Sequence, residues 1–332
     1  MNHFNAAHAR VFPQQGLSLG LMTPVAAHGL ADVAEAQRIA RLADDLGFAA
    51  LWTRDVPLMV PQGPDATTSA LDDPFLWLAL LAGATTRIAV GTAAIVLPLR
   101  HPLHVAKSAL SLDRISGGRF VLGLGSGDRP EEFAAFGEDL EGRAATFRER
   151  WSLLRAALSP DETERARLRD ATGGFDVLPA AQARIPMLVV GTARQSLQWI
   201  AREAEGWATY HREEAAQEGR IGLWQQAQGA GEAKPFVQSM LLDLQADPRA
   251  PGEALPLGLK VCRDGLRAYL QRVHAQGVAH VMFNLVDNGR PVDEVLREIA
   301  SVGVHLGGHA AGIRHVRICV SFSFDIQRWS PA

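Results

Sequence analysis

Residues 87–133 read RIAVGTAAIVLPLRHPLHVAKSALSLDRISGGRFVLGLGSGDRPEEF, and this stretch decides the fold. Ile88 to Ala94 alternate small and β-branched residues without a charge, the pattern of a strand buried on both faces. Pro102 stands where a helix tolerates proline, in its first turn, and Gly117-Gly118 ends that helix. Arg119 to Gly125 form a second apolar strand, which runs straight into Ser126-Gly127-Asp128-Arg129. A strand–helix–strand unit of this length makes a parallel pair through a right-handed crossover. Ligands of parallel α/β proteins bind at the carboxyl ends of the strands, so the polar exits of this unit are where chemistry is expected.

The same alternation continues in both directions. Strands are predicted at Leu17–Met22, Ala49–Thr53, Ile88–Ala94, Arg119–Gly125, Met187–Val190, Gly206–Tyr210, Phe236–Leu244 and His280–Leu285. Helices are predicted at Asp32–Leu46, Pro74–Thr85, Pro102–Ser116, Glu141–Leu158, Arg194–Glu203, Glu213–Gln228, Arg263–Gln276 and Pro291–Ala300. Eight strand–helix pairs fit an α/β fold of the (β/α)8 TIM-barrel type better than a doubly wound sheet. No linker-like composition splits the chain. The expected organisation is an N-terminal extension at 1–16, one barrel domain at 17–302 and an atypical tail at 303–332. That tail alternates apolar and polar residues from Val316 to Ile326, as a surface strand, a poorly ordered tail or an arm on a partner subunit would. Two connections exceed ordinary loop length, Val56–Asp73 and Ser159–Ile185.

Bulk properties narrow the function. The 332 residues are 47% hydrophobic and 21% charged, with net charge −3 and no basic block, which leaves nucleic-acid binding without an electrostatic basis. No apolar run reaches membrane-helix length and no signal peptide is recognisable at the N-terminus, so no membrane association is expected. Cys262 and Cys319 stand far apart, which argues against a disulfide framework or a CxxC site and for a cytoplasmic protein.

Reading the strand exits in order gives the candidate site: Met22-Thr23, Arg54-Asp55, Thr92-Ala93-Ala94 with Arg100-His101 beyond, Ser126-Gly127-Asp128-Arg129, Gly191 to Ser196, Tyr210-His211, Asp243 and Asn284. The exit at Gly191-Thr192-Ala193-Arg194-Gln195-Ser196 suits a phosphate, with a close-approach glycine, two hydroxyls, a cation and the start of a helix; an ordinary helix cap would read the same. Small residues at Thr92-Ala93-Ala94 leave room for a flat ring system or serve a tight core. Asp128 and Arg129 suit a binding loop or a solvated turn. Asp113 and Arg119, at the helix-to-strand turn, are expected to pair. His101 and His104 lack an acidic partner motif such as HExxH, so no metal is expected.

These motifs resemble the bacterial luciferase-like flavin monooxygenases. VGTAAIVLP, RHPLHVAK, LDRISGGRF and GLGSG occur in that family's order and spacing, supported by GFAALWTRD at 47–55 and IPMLVVGTARQSLQWIAREAEGWA at 185–208. The likeness extends from about Leu17 to Ile299, and the GDRPEEF loop marks a luciferase-type oxidoreductase subgroup. The resemblance implies a barrel with a cis peptide at Ala93–Ala94 against which the flavin ring lies. It places the flavin phosphate at Ser126 and at Gly191–Ser196. It also implies reduced FMN delivered by a separate flavin reductase, or a deazaflavin in its place, a small-molecule substrate, and a homodimer formed through the early helices.

Two departures limit the likeness. Luciferases carry a histidine pair after the second strand, where this chain reads Arg54-Asp55-Val56-Pro57. The family's phosphate-gripping arginine at the fourth exit aligns with Ser126, which leaves Arg129 or Arg194 to supply charge. The catalytic candidates are then Arg54, Asp55, His101 and Asp128. The expected activity is an FMN-dependent monooxygenase using O2; the alternatives are deazaflavin-dependent hydride transfer and flavin binding without turnover.

Overall fold

The apolar strands pair in parallel and close on themselves. In this computed structural model, which describes residues 3–25, 31–60, 71–285 and 289–303, the chain runs α1 (Ala6–Val11), β1 (Ser18–Met22), α2 (Val33–Asp45), β2 (Ala50–Thr53), α3 (Pro74–Ala84), β3 (Ala89–Thr92), β4 (Ile95–Val96), α4 (Pro102–Ser116) and β5 (Phe120–Gly125). It continues through α5 (Pro130–Phe136), α6 (Arg143–Leu158), α7 (Glu162–Ala171), β6 (Met187–Val190), α8 (Leu197–Glu203), β7 (Gly206–Tyr210), α9 (Glu214–Gln228) and β8 (Phe236–Gln245). The last elements are β9 (Glu253–Leu255), β10 (Gly258–Cys262), α10 (Arg263–Gln276), β11 (Val278–Leu285) and α11 (Val292–Gly303). The ring order is β1-β2-β3-β5-β6-β7-β8-β11, sealed where β11 pairs β1. This is the predicted (β/α)8 barrel. The tail at 304–332 lies outside the described residues.

Strand alternation builds two apolar layers. Phe120, Leu122 and Leu124 of β5 join the large cluster between strands and helices, while Val121 joins the cluster inside the barrel. Leu51 faces the helices, whereas Ala50 and Trp52 face inward. Helix ends follow local chemistry. Asp32 caps α2 by accepting the Glu35 N–H at 2.8 Å, and Gly117 ends α4 in the left-handed region at φ 71°.

Residues 3–16 close the amino-terminal end of the barrel. Ala7, Val11 and Phe12 belong to the inner cluster, and Asn5 donates to Asp113 Oδ1 at 2.7 Å and to the Phe120 carbonyl at 2.8 Å. Asp113 and Arg119 therefore do not form the expected ion pair. The Arg119 guanidinium instead donates to the Ile88 carbonyl at 2.6 Å and the Ala82 carbonyl at 2.9 Å, tying α3 to the turn before β3. The connection 159–185, expected to be a long loop, carries α7, capped by Asp161 accepting the Thr163 N–H. Its polar composition hides the short helix from periodicity, since Leu168 is its one buried residue.

A polar chain crosses the barrel interior. The Trp52 indole N–H donates to His280 Nε2 at 3.0 Å, and His280 Nδ1 lies 2.6 Å from Ser18 Oγ, which donates to the Val11 carbonyl at 2.5 Å. An indole N–H can only donate, so His280 carries its proton on Nδ1. Burial pushes the His280 pKa down to about 3. The unfolded chain takes up that proton near pH 6.5, so this contribution to stability is intact above pH 6.5 and is lost as pH falls toward 3. Between pH 7 and pH 5 the loss should be about 2 kcal/mol. Urea unfolding of wild type and His280→Gln at both pH values checks this: the variant should lose less stability on acidification by that amount, and an equal loss would show that His280 is not the group responsible.

Candidate active site

The barrel's carboxyl end holds an open cleft of about 830 Å³, solvent-filled mouth included. Its floor is set by inward-facing strand ends: Met22 on β1, Ala208 on β7 and Met282 on β11, all buried. Ala93 after β3, and Val190 with Gly191 at the end of β6, form one wall. Ser239, Met240 and Leu241 of β8 form another, and the turn Pro256-Leu257 between β9 and β10 reaches over it. Arg54, Tyr210 and Asn284 complete the rim.

The Ala93–Ala94 peptide is cis. Its surroundings are small and tightly fitted: a Cβ on Gly125 would stand 3.3 Å from the Ala94 Cβ, and one on Gly123 would stand 2.0 Å from the Thr92 carbonyl oxygen. Thr92 itself is wholly buried, donating to the Gly123 carbonyl at 2.8 Å and accepting the Gly123 N–H at 3.0 Å, so its hydroxyl joins β3 to β5. Thr23 is similarly engaged, donating to the Trp52 carbonyl at 2.9 Å and accepting from the Trp77 indole at 3.0 Å. Of the first and third exits, Met22 and Ala93 reach the cleft while Thr23 and Thr92 lie behind it.

At the second exit, neighbouring residues part company. Arg54 lines the cleft. Asp55 turns away from it into a bidentate ion pair, accepting from Arg100 Nε at 2.8 Å and Nη2 at 2.7 Å, and it also accepts the Val96 N–H at 3.1 Å. Its own N–H donates to the Ala94 carbonyl at 3.2 Å. Arg100 reaches Asp73, the cap of α3, at 3.1 Å. His101 caps α4 by accepting the Leu103 N–H, stacks edge-on against His104 at 6.0 Å, and does not line the cleft.

At the β5 exit Ser126 is buried, Gly127 takes φ 77° and Asp128 is exposed. A Cβ on Gly127 would stand 2.7 Å from Val96 Cγ1 and 2.9 Å from the Phe133 ring, so only glycine suits both the conformation and the space. Arg129 is buried and pairs with Glu132 at 3.5 Å; burial pushes the Glu132 carboxyl above its ordinary range, against the opposing pull of Arg129 and of the Leu58 N–H.

The β6 exit has unusual backbone. Gly191, Ala193 and Arg194 all lie at positive φ, at 66°, 46° and 59°. Two such non-glycine residues in succession cost free energy and concentrate where loops hold ligands. The loop is braced from below: Gln195 donates to the Ala144 and Ala193 carbonyls at 2.8 and 3.0 Å, and accepts from Arg148 at 2.8 Å. Thr192, Arg194 and Ser196 are left exposed. The helix begins at Leu197, later than expected, with Ser196 accepting the Trp199 N–H at 3.2 Å. At the β7 exit His211 is buried against Tyr269, Nδ1 to hydroxyl 2.9 Å, and burial holds its pKa below the ordinary value. Asp243 pairs with Lys260 at 3.4 Å.

Sequence reading missed the β8 side of the cleft. Ser239 and Leu241 share the inward parity of Val237, and Pro256-Leu257-Gly258 is a turn signature, so both signals were present. Among the described residues no cluster of three or more metal-ligand side chains occurs, and no helix is long and apolar enough to cross a membrane.

A closed parallel barrel with an apolar-floored cleft at its carboxyl mouth places the chain in the class of (β/α)8-barrel proteins, whose sites are built at that end. The particular family follows from comparison: the model of the luciferase-like monooxygenases matches residues 11–242, and the chain belongs to that family. Similar relatives include the alkanal monooxygenase alpha chain of Photorhabdus luminescens, 29% identical over 50% of this chain and 44% of that protein. Another is the 4-hydroxyprotoasukamycin monooxygenase of Streptomyces nodosus subsp. asukaensis, 30% identical over 46% and 40%. The chain thus spans less than half the length of these curated relatives. Among solved structures, monooxygenase RslO1 from Streptomyces bottropensis superposes with TM-score 0.69 at 21% identity, covering 87% of this chain and 99% of that one. An F420-dependent secondary alcohol dehydrogenase superposes with TM-score 0.68 at 12% identity, covering 87% and 98%.

The Asp55–Arg100 pair should carry measurable stability. Arg100→Leu leaves the Asp55 carboxylate buried without its counter-charge, and urea unfolding at pH 7 should show a loss of roughly 3 kcal/mol. Arg100→Lys, which cannot bond in bidentate fashion, should recover only part of it. A loss below about 0.5 kcal/mol would place the pair with ordinary surface ion pairs.

Proposed function

We propose that this chain is a flavin-dependent monooxygenase that acts with reduced FMN and O2 on a small to medium organic substrate. The observation that carries the reading is the pairing of an apolar cleft with the strained β6 loop. The cleft offers Ala93, Ala208, Val190 and Gly191 as small or flat-sided contacts over a methionine floor, which suits one face of a planar ring system. The loop offers Thr192, Arg194 and Ser196 as exposed hydroxyls and charge beside Gly191, which suits a phosphate. Arg194 fits the missing cation better than Arg129, which is buried and paired with Glu132. The residues present therefore fit FMN: Met22, Ala93, Val190 and Gly191 toward the ring, and Ser126, Thr192, Arg194 and Ser196 toward the phosphate.

When bound, the reduced ring supplies the electrons for activation of O2. The chain's own contribution is placement and exclusion of water. Asp55 and Arg100 hold the β2 and β3 exits together, fixing the wall that Ala93 presents. Arg54 brings a positive charge to the rim, where it can orient a polar substrate or stabilise negative charge that develops on it. The likeness to an alkanal monooxygenase and to RslO1 supports an oxygenase, and the absence of a histidine pair at Arg54-Asp55 sets the chain apart from luciferases proper. The likeness to an F420-dependent dehydrogenase favours a second reading, in which the same site takes a deazaflavin and transfers hydride without O2. A separate flavin reductase and a homodimeric assembly complete the proposal.

Titration of wild type and Arg194→Ala with FMN and with riboflavin, which lacks the phosphate, tests the cofactor assignment. The variant should bind FMN about tenfold more weakly and riboflavin equally well. Equal losses for both ligands would remove Arg194 from the phosphate site, and no binding of either by wild type would sink the FMN reading. Oxygen uptake with supplied reduced FMN and a panel of organic substrates, followed by mass analysis for an inserted oxygen atom, separates the oxygenase from the hydride-transfer alternative.

A further inference from the structure

Leu257 sits at the tip of the β9–β10 hairpin with φ 60°. A leucine in the left-handed region costs conformational energy that glycine or asparagine would avoid. Leu257 is 37% exposed and lines the cleft, as does Pro256. A strained backbone that presents an apolar side chain to an open cleft is a configuration associated with ligand contact.

The hairpin is also firmly fixed. β10 lies parallel on the outer half of β8, from Gly258 opposite Leu241 to Cys262 opposite Gln245, and β9 pairs antiparallel with β10. The Leu241 N–H donates to the Leu257 carbonyl at 3.0 Å. A Cβ on Gly258 would stand 2.1 Å from the Leu241 carbonyl oxygen, so the turn lies flush against β8. The Lys260–Asp243 pair adds a side-chain tie, and α10 starts directly at Arg263. This segment is a wall carried by the sheet.

We propose that the hairpin tip selects the substrate: Leu257, with Pro256 and Leu241, forms an apolar face that receives a hydrocarbon body, while a polar end is directed toward Arg54 and Asn284. Arg54 stands at the β2 exit, three strands round the ring from β8, and it is the only charged side chain among the described residues that line the cleft. The substrate class is accordingly an amphiphilic molecule with one hydrogen-bonding or anionic end and an extended apolar portion. This rests on the cleft being the substrate site of the reading above.

The test uses n-alkanols from hexanol to decanol as competitors of a bound anilinonaphthalene sulfonate fluorophore, with wild type, Leu257→Gly, Leu257→Asn and Leu223→Ala. Leu223 is an exposed leucine of α9 outside the cleft and serves as the control. Competition by decanol should weaken about fivefold in both Leu257 variants, the effect of removing one partly buried leucine contact, and should be unchanged in Leu223→Ala. The thermal midpoints of the Leu257 variants should hold or rise, because both substitutions relieve the positive φ. Unchanged decanol competition would overturn the proposal, as would a lowered midpoint in both variants, which would make Leu257 a packing residue. FMN titration of the same samples keeps the two readings apart: the expected alkanol pattern without FMN binding removes the flavin and leaves the wall, and FMN binding with unaltered alkanol competition does the reverse.

Discussion

The barrel depends on one buried contact: the Trp52 side chain lying across the lumen between two glycines. A Cβ on Gly20 would approach the Trp52 Nε1 to 2.7 Å and His280 Nε2 to 2.6 Å, and one on Gly91 would approach the indole ring to 2.5 Å. The largest side chain of the interior thus occupies space that its neighbours on β1 and β3 vacate. Its N–H would be costly to bury unpaired, and His280 accepts it. His280 in turn bonds Ser18, its register partner across the β1–β11 seam, and Ser18 reaches the Val11 carbonyl of α1. Closure of the ring, filling of its centre and capping of its floor are therefore coupled through one side chain.

That coupling divides the molecule into two ends with different composition. Below Trp52 the interior is sealed by Ala7, Val11 and Phe12. Above it Met22, Ala208 and Met282 leave a floor on which a ring system can rest. Small residues on the inner strand faces, among them Ala50, Ala89 and Ala208, accommodate a bulky indole and still keep the upper half open. A barrel of eight strands has room for little more than its own side chains, so an open cleft requires that some positions be small.

Much of this was legible in the sequence because a parallel strand buried on both faces is an uninterrupted apolar run, and eight such runs alternate with capped helices. The small residues at Thr92-Ala93-Ala94 and the glycine-led exit at Gly191 stood out by their place at strand ends, where a tight core or a helix cap reads the same as a ligand site. What escaped was governed by contacts distant in sequence. The α1 plug is only six residues long and is held by Asn5 reaching Asp113 and Phe120. The β9–β10 hairpin is short, with only three residues in β9, and β8 extends far enough to template it. Asp113 and Arg119 invited pairing by proximity along the chain, yet Asn5, the residue before α1, donates to the first, and backbone carbonyls accept from the second.

The divergence of Arg54 and Asp55 shows how such long-range contacts assign chemistry. Both are charged, adjacent and placed at a barrel exit, so position alone gives them equal claims. Side-chain direction alternates along an extended chain, and only one of two neighbours can face the axis. Asp55 faces outward, where a carboxylate would be prohibitively buried without Arg100, and Arg100 is present because the segment after β3 turns back toward it. The resulting pair fixes the Ala94 carbonyl and the Val96 N–H to the β2 exit, one on the backbone and one on the carboxylate of Asp55. A neutral pair of the same shape could pack, but it could not accept two guanidinium N–H groups and a backbone N–H at once. The acid at this exit thus serves the geometry of the wall, and the charge that faces the cleft is the positive one.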